Sequence, residues 1–302
     1  MVPERDSWSV RGHLTQMTPS CQWLKRWSPW RGSHVALSLA TAMAADALEC
    51  LIHPPSTDSH HTMSITTATL DALAKYDTPT VCNVIELFDV RPRHQGYMND
   101  TIKSCFPKLP PLVGFAVTAT FRSMQPPRGG DAYTGMKDQV EAFASVPGPP
   151  VMVFQDLDQP CVSATFGEVM CTVYKSFGAR GLITSGTGRD LDQVEAFDFP
   201  VFTNGSICSH GYCHMPHLNV PVTVGGICIE PNMLLHGDRN GVTTIPLEIA
   251  TEIPDACREL MDAEQIILDY CRKGTPTVAG FAEARKASQA AIDAMAKRLR
   301  RK

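Results

Sequence analysis

Three charged residues near the middle of the chain have the types and the spacing to bind a small anion together with a metal ion. Glu168 follows a glycine at the start of a helix-like run, and about twenty residues later the chain carries the pair Arg189–Asp190. A glycine-rich turn, a short strand and a second glycine-rich turn lie between them. This order predicts that a carboxylate, a guanidinium and a helix N-terminus converge on one site.

The start of the helix is the first part of this predicted site. Gly167 would let a ligand approach closely, and the first turn of a helix leaves backbone N–H groups without partners. Those of Glu168, Val169 and Met170 could bind a carboxylate or an enolate oxygen. Arg189 adds a planar, permanently charged fork that suits a carboxylate. These groups predict a binding site for a small organic acid.

Asp190 supplies the hard oxygen that a divalent cation requires. Proteins usually hold Mg²⁺ with one or two carboxylates, several waters and substrate oxygens. We therefore expect Mg²⁺, Mn²⁺ or another divalent metal, chelated by the carboxylate and keto oxygens of a 2-oxo acid. The metal would withdraw charge from the keto group and stabilise the enolate that forms when the neighbouring carbon–carbon bond breaks. No lysine is needed, because the metal replaces a Schiff base.

An isolated Arg–Asp pair has a simpler structural interpretation. Asp190 precedes the segment LDQVEAF and could cap that short helix. Arg189 would then only pair with a solvent-exposed acid. The motifs around the pair decide between the two interpretations.

Four of these motifs together resemble the RraA-like family, which includes 4-hydroxy-4-methyl-2-oxoglutarate aldolases and regulators of ribonuclease E activity. They are the pair Gly167–Glu168, its spacing to Arg189–Asp190, the FPVF of residues 199–202 and the GDRNGVTTIP of residues 237–246. The resemblance extends from about Leu70 to Pro246. It implies a layered β/β/α core of the swivelling-domain type, and it favours the functional interpretation of the Arg–Asp pair.

The resemblance also implies roles for individual residues. In the family's aldolases the aspartate of the RD pair binds the metal, the arginine binds substrate, and the backbone at the helix start binds pyruvate. These roles fall on Asp190, on Arg189 and on the run Gly167–Met170. Glu168 would act through a metal-bound water, as a route for proton transfer.

This chain departs from the family pattern at one position near the metal. The family often has an acidic residue three positions after the aspartate, and this chain has Gln193 there. Either the neighbouring Asp192 compensates, or the metal is held more weakly.

The leading functional hypothesis is a metal-dependent class II lyase. It would cleave a 4-hydroxy-2-oxo acid, or decarboxylate oxaloacetate to pyruvate, since both reactions pass through the same enolate. The alternative is a non-catalytic, protein-binding regulator of ribonuclease E-type activity. The intact set of Glu168, Arg189 and Asp190 favours chemistry, because a binding scaffold does not need it. A quinone-biosynthesis methyltransferase is disfavoured, because the chain lacks a glycine-rich nucleotide loop.

A second cluster of potential metal ligands occurs in the segment SHGYCHMPH, namely His210, Cys213, His214 and His217. Histidine and cysteine at such spacings can bind zinc. Gly211 and Pro216, however, argue against presentation by one helix, and the resemblance implies a metal elsewhere. We expect instead a loop that lines the substrate pocket, where His210 or His214 would meet a second substrate carboxylate.

The other charged candidates favour structural roles. Arg122 ends a predicted strand and is expected to anchor structure. Asp156 and Asp158 could neighbour the metal, but their segment QDLDQP indicates a loop first. The segment of residues 238–241 has the composition of a turn, which we expect to shape the fold and the subunit contacts.

The elements that must position these residues alternate between helix and strand, which predicts an α/β fold. We predict a disordered extension over 1–62, a catalytic domain over 63–250 and a helical extension over 251–302. A cleaved signal at the N-terminus is the weaker alternative for the first segment. Predicted helices cover 67–88 with an interruption at Pro79, 131–144, 167–177, 192–197, 255–271 and about 278–300. Predicted strands cover 114–122, 151–154, 181–184, 201–203 and 220–229, the last with a hairpin turn at Gly225–Gly226.

Composition narrows the class of protein. The 302 residues carry a formal net charge of −4, and the basic residues are dispersed apart from the C-terminal cluster. We therefore expect neither a nucleic-acid partner nor a membrane. The eleven cysteines are scattered without a C-x-x-C pair, which favours reduced thiols in a cytoplasmic protein. The resemblance implies a homotrimer or hexamer with sites near the subunit boundaries.

Overall fold

The structure is a computed structural model that describes residues 65–128 and 135–300. The predicted N-terminal extension lies outside these residues. The helices are α1 (Thr67–Leu73), α2 (Thr78–Phe88), α3 (Met136–Ala142), α4 (Glu168–Ser176), α5 (Leu191–Glu195), α6 (Ile253–Arg272) and α7 (Val278–Leu299). The strands are β1 (Lys103–Ser104), β2 (Leu112–Phe121), β3 (Pro150–Asp156), β4 (Ala164–Phe166), β5 (Gly181–Thr184), β6 (Thr187–Gly188), β7 (Val201–Thr203), β8 (Val222–Val224), β9 (Ile227–Ile229), β10 (Leu234–Asp238) and β11 (Gly241–Ile245).

A mixed seven-stranded sheet organises the fold, in the order β1-β7-β5-β3-β2-β10-β11. The four strands β2, β3, β5 and β7 are parallel, and the outer strands β1, β10 and β11 are antiparallel to their neighbours. Every residue of β2 is buried, as expected for a central strand that is covered on both faces. The mixed α/β class predicted from the alternating elements is confirmed.

Two short pairs of strands complete the sheet structure. Strands β8 and β9 form the antiparallel hairpin predicted at Gly225–Gly226. Strands β4 and β6 are parallel, with Ala164 opposite Thr187 and Phe166 opposite Gly188. The segment 238–241 forms the predicted turn, here between β10 and β11.

The helix predicted over residues 67–88 is two helices. The chain leaves α1 after Leu73, and Asp77 caps α2 by accepting a hydrogen bond from the N–H of Thr80 at 2.7 Å. Pro79 lies in the first turn of α2, where its missing N–H removes no helical hydrogen bond. The proline therefore helps to start a helix, and the predicted interruption lies before it.

The two C-terminal helices form part of the main core. Leu260 of α6 and Met295 of α7 are buried in one cluster with Val81 of α2 and Phe115 of β2. The last helix therefore docks on its own domain. Its start is less covered, since Phe281 is 40% exposed. Within the described residues no helix is both long and apolar enough to cross a membrane.

Candidate functional site

The short strand pair brings the two halves of the predicted site together. Strand β4 ends at Phe166 and leads through Gly167 into α4, whereas β6 ends at Gly188 and leads into Arg189–Asp190. Because β4 and β6 are parallel, their C-terminal ends lie on the same side of the strand pair. Segments about twenty residues apart in the chain thus meet where a helix begins.

The carboxylate of Asp190 lies at the N-terminus of α4. Its Oδ2 accepts a hydrogen bond from the N–H of Glu168 at 3.1 Å, and Nε of Arg189 lies 3.7 Å from the same oxygen. Asp190 also occupies the N-cap position of α5, but its side chain makes no capping hydrogen bond there. The structural alternative, in which the aspartate side chain caps its own helix, is therefore wrong.

The side chains of Asp190 and Arg189 lie so close to residue 167 that only a glycine fits there. Its φ of −154° is an extended value that any residue adopts. A Cβ at this position, however, would lie 2.5 Å from Oδ2 of Asp190 and 3.1 Å from Nε of Arg189. The absence of a side chain thus allows the carboxylate to reach the start of α4.

An open cleft of about 260 Å³ contains this arrangement. Its lining residues are Ala164, Thr165, Phe166, Gly167, Val169, Met170, Arg189, Asp190, His210 and Cys213. Its apolar wall is formed by Ala164, Phe166, Val169 and Met170, and the ionisable groups lie at Arg189, Asp190, His210 and Cys213. An apolar pocket with a few convergent polar groups is the usual form of a small-molecule site.

The predicted helix-start residues take different positions. Val169 is 73% exposed and Met170 is buried. The side chain of Glu168 is exposed and does not line the cleft, and its backbone N–H is used by Asp190. The N–H groups that can receive an anion are therefore those of Val169 and Met170.

Only two of the four residues in the predicted His/Cys cluster line the cleft. His210 and Cys213 line it, as expected for a pocket-lining loop, whereas His214 and His217 do not. His217 contacts Thr120 instead, with 3.0 Å between Nδ1 and Oγ1. No group of three or more His, Cys, Asp or Glu side chains in the described residues is arranged to hold a metal ion. The zinc interpretation therefore gains no support.

The buried thiols around the cleft are neutral at physiological pH. Burial raises the pKa of Cys213 to about 11, and it raises the pKa of Cys171 further. A thiol in this state is a poor nucleophile and a poor metal ligand. The acidic and basic side chains at this edge are those of Arg189, Asp190 and the exposed Glu168.

The loop predicted for QDLDQP is found at Asp158, whereas Asp156 belongs to β3. Asp156 ends β3 and is 2% exposed, and Asp158 is 6% exposed. Asp158 lies 3.5 Å from Nε of Arg122, which confirms the anchoring role expected for that arginine. An acidic residue directly after an apolar parallel strand was the available signal, since such positions border the carboxyl edge of a sheet.

Comparison with known proteins identifies one family whose model covers the segments that form the candidate site. The model of the RraA-like family, described as aldolase/RraA, matches residues 78–244, more than half of the chain. A protein of Halalkalibacterium halodurans with the name "Putative 4-hydroxy-4-methyl-2-oxoglutarate aldolase" is 32% identical over 118 residues. The match covers 39% of this chain and 54% of that protein, so the chain spans about half the length of this relative.

Two solved structures share the fold. An uncharacterized protein from Pseudomonas syringae pv. tomato has a TM-score of 0.59 at 21% identity, covering 76% of this chain and 98% of that one. Streptomyces coelicolor RraAS2, described as an unusual member of the RNase ES inhibitor RraA protein family, has a TM-score of 0.54 at 20% identity. That match covers 66% of this chain and 95% of the other.

Proposed function

Because the chain belongs to the RraA-like family, we propose that it is a divalent-metal-dependent carbon–carbon lyase that releases pyruvate from a small 2-oxo acid. The proposed reaction is cleavage of a 4-hydroxy-2-oxo acid, of the 4-hydroxy-4-methyl-2-oxoglutarate type, or decarboxylation of oxaloacetate. The aldolase name of the Halalkalibacterium relative supports this reaction class. The observation that carries the proposal is the carboxylate of Asp190, held beside Arg189 at the glycine-led start of α4.

The residues present fit a divalent metal. Oδ2 of Asp190 is held by the N–H of Glu168, and no hydrogen bond from the described residues reaches its Oδ1. The side chain is 37% exposed and lines the open cleft. A hard carboxylate oxygen in this position is the ligand type that Mg²⁺ or Mn²⁺ takes, with waters and substrate oxygens as the other ligands. Asp190 would therefore hold the cation.

The cation, when bound, would supply a Lewis acid that polarises the keto group of the substrate and stabilises the charge that develops as the carbon–carbon bond breaks. The protein contributes orientation. The guanidinium of Arg189 has the planar geometry to bind the substrate carboxylate, and the N–H groups of Val169 and Met170 point from the helix start as additional donors. Because fixed donors hold the substrate carboxylate, the carbon–carbon bond that breaks has a fixed orientation in the cleft.

The remaining groups shape the rest of the cleft. Phe166 and Met170 are buried apolar residues that line one part of it, and such walls strengthen the electrostatic contacts inside. His210 lines the same cleft and would contact the part of the substrate that leaves. Glu168 at the exposed rim would serve as the route by which protons reach the site.

The test is direct. Purified protein is incubated with oxaloacetate and with 4-hydroxy-2-oxo acids, with Mg²⁺, with Mn²⁺ and with a chelator, and pyruvate is measured. We expect metal-dependent pyruvate release that the chelator removes. Folded protein that releases no pyruvate from either substrate class with any metal contradicts the proposal.

A second candidate function is regulation of an RNase E-type enzyme, which the fold shared with Streptomyces coelicolor RraAS2 favours. In that case the chain would slow RNA cleavage by such an enzyme, and Asp190→Ala would leave the inhibition unchanged. The lyase proposal predicts instead that Asp190→Ala sharply lowers pyruvate release. The expected trimer or hexamer and the cytoplasmic location remain predictions, of which the first is checked by light scattering of the purified protein.

A further inference from the structure

Two buried carboxylates, those of Asp156 and Asp158, lie next to each other in very different surroundings. Oδ2 of Asp158 accepts hydrogen bonds from the N–H groups of Ser123 at 2.6 Å and Met124 at 2.9 Å. Its Oδ1 lies 3.5 Å from Nε of Arg122. A carboxylate with two N–H donors and a guanidinium is stabilised in its ionised form. Asp158 is therefore the charged member of the pair.

Asp156 lacks comparable partners. Its Oδ1 accepts a hydrogen bond from the N–H of Asp158 at 2.9 Å, and the carboxyl group also meets the thiol of Cys161, which is a weak donor. Its Oδ2 is fully buried and has no hydrogen-bond partner among the described residues. Buried polar atoms in native proteins are nearly always paired, so this oxygen requires an explanation.

The charged and titratable groups around Asp156 do not compensate a negative charge. They are the carboxylate of Asp158, the thiols of Cys161 and Cys213, and the guanidinium of Arg122. Burial raises the pKa of both thiols to about 11, so they are neutral. Arg122 pairs with Asp158. Two carboxylates therefore share a single cation.

Two buried hydroxyl groups in this part of the fold also lack hydrogen-bond partners, and the backbone of one of them, Ser123, donates to Asp158. Oγ of Ser123 and Oγ of Ser163 are buried and unpaired, and with Oδ2 of Asp156 they make three of the four such atoms in the described residues. A Cβ on Gly211 would lie 3.3 Å from the Cβ of each serine, so the two serines lie side by side. Hydroxyl groups do not balance an ionised acid. Burial accordingly raises the pKa of Asp156.

Asp156 also supports the turn that delivers the candidate site residues. Its backbone N–H donates to Oγ of Ser185 at 2.9 Å. A Cβ on Gly186 would lie 2.9 Å from Oδ2 of Asp156, so the carboxyl group packs directly against this glycine. The turn of residues 185–186 leads directly into β6, and β6 leads into Arg189–Asp190. A displacement of the Asp156 carboxyl group would therefore displace the turn.

We propose that Asp156 is held as a neutral carboxylic acid and that it is a positioning residue for the turn of residues 185–186 and for the strand β6 that follows it. Ionisation of this acid drives the carboxylate toward water and shifts the turn, which withdraws Arg189 and Asp190 from the cleft. The proposal concerns a proton and a turn, so it holds whichever reaction the cleft supports.

The sign of the pH dependence follows from the direction of the shift. The pKa of Asp156 is raised above 3.8 in the folded state. Its contribution to stability is complete below 3.8, and it is lost as the pH rises through the folded pKa. The turn should therefore loosen as the pH rises above 3.8 and through the folded pKa.

The test compares two neutral isosteres, Asp156→Asn and Asp158→Asn. At mildly alkaline pH, Asp156→Asn should have a melting temperature equal to or above that of the wild type, because the amide reproduces the neutral acid. Asp158→Asn should have a lower one, because it loses a charge that Arg122 and two N–H groups stabilise. Infrared spectra should show the C=O band of a protonated carboxyl group in the wild type and in Asp158→Asn but not in Asp156→Asn.

Hydrogen exchange of the backbone amides in residues 185–190 tests positioning. After correction for intrinsic rates, wild-type protection should fall as the pH rises, and Asp156→Asn should remove that fall. If Asp156→Asn destabilises the protein as much as Asp158→Asn, or if the infrared band is absent, Asp156 is ionised and a bound cation balances it, which overturns the proposal. If the infrared band is present but amide exchange in residues 185–190 does not change with pH, Asp156 is neutral but does not position the turn. Neither readout depends on pyruvate release, so a failed lyase assay leaves this test intact.

Discussion

Two aspartates in different regions of the molecule bind a helix N-terminus from a distant part of the chain. Oδ2 of Asp238 accepts the N–H of Thr78 at the start of α2 at 3.0 Å. Oδ2 of Asp190 accepts the N–H of Glu168 at the start of α4 at 3.1 Å. In both cases the acid complements the positive end of the helix dipole.

The two carboxylates differ in what else they contact. Asp238 is 8% exposed, and Asn240 donates to both of its oxygens, from the backbone to Oδ1 at 2.7 Å and from Nδ2 to Oδ2 at 3.1 Å. Asp190 lines an open cleft, and its Oδ1 receives no hydrogen bond from the described residues. A saturated carboxylate stabilises the fold, whereas an unsaturated one at a cleft is available to a ligand.

The largest expected effect separates these two roles. Asp190→Ala should lower pyruvate release by more than about 100-fold, because it removes the proposed metal ligand. It should lower the free energy of unfolding by no more than about 1 kcal/mol, because the N–H of Glu168 that loses its partner is exposed to water. Steady-state kinetics and denaturant unfolding of the same preparations measure both quantities. A fully active Asp190→Ala protein would remove the distinction between the two aspartates.

Gly167→Ala should give the next largest effect on activity. The added Cβ would push against Oδ2 of Asp190, so we expect a loss of about 10- to 100-fold, as for other changes that displace a ligand's support. Gly178 follows the other end of α4, with φ of +91° and open space around it, and is the matched control. Gly178→Ala should cost about 1 kcal/mol of stability through its left-handed backbone and leave activity unchanged. Equal activity losses in both variants would indicate a general effect on α4.

Asp238→Ala should destabilise without a direct effect on chemistry. It leaves the N–H of Thr78 without its partner, and we expect a decrease of about 2 kcal/mol in the free energy of unfolding. Urea unfolding measures this decrease, and kcat/KM of the folded protein should stay near the wild-type value. A loss of activity at full stability would place Asp238 in the site and contradict the comparison.

A smaller effect is expected from the histidine beside Asp238. His236 is fully buried, with Nδ1 3.0 Å from Oγ1 of Thr78 and Nε2 3.2 Å from the carbonyl oxygen of Leu73. Burial lowers the pKa of His236 below 6.5, so the stabilisation is complete above pH 6.5 and is lost as the pH falls through the folded pKa.

Unfolding should be measured at several pH values in the Asp156→Asn background, where the opposite effect of that acid is absent. The variant His236→Gln should show a flatter dependence on pH between 6.5 and the acid range. An unchanged slope would mean that other groups control acid sensitivity.

Local patterns predicted much of the fold and part of the site. The apolar run of β2, the two long C-terminal helices and the hairpin at Gly225–Gly226 follow from periodicity and turn residues over short stretches of chain. The same local reasoning selected Gly167–Glu168 and Arg189–Asp190, because the order of helix, turn, strand and turn is written in consecutive residues.

The environment of each side chain depended on contacts between distant residues. Nothing local to Asp190 indicates that its carboxylate turns from its own helix to α4, and nothing local to Asp156 indicates a buried oxygen behind Gly186. Likewise, residues 210–217 do not by themselves indicate that His210 lines the cleft while His217 contacts Thr120.

The sequence by itself determined which residues could do chemistry and which elements carry them, because backbone propensity and apolar period act over a few neighbouring residues. Only the tertiary structure decided which carboxylate is saturated, which is buried without a counter-charge and which faces a cleft. Burial and electrostatic compensation are set by the parallel pairing of β4 with β6 and by packing across the sheet, and these bring together groups that are far apart along the chain.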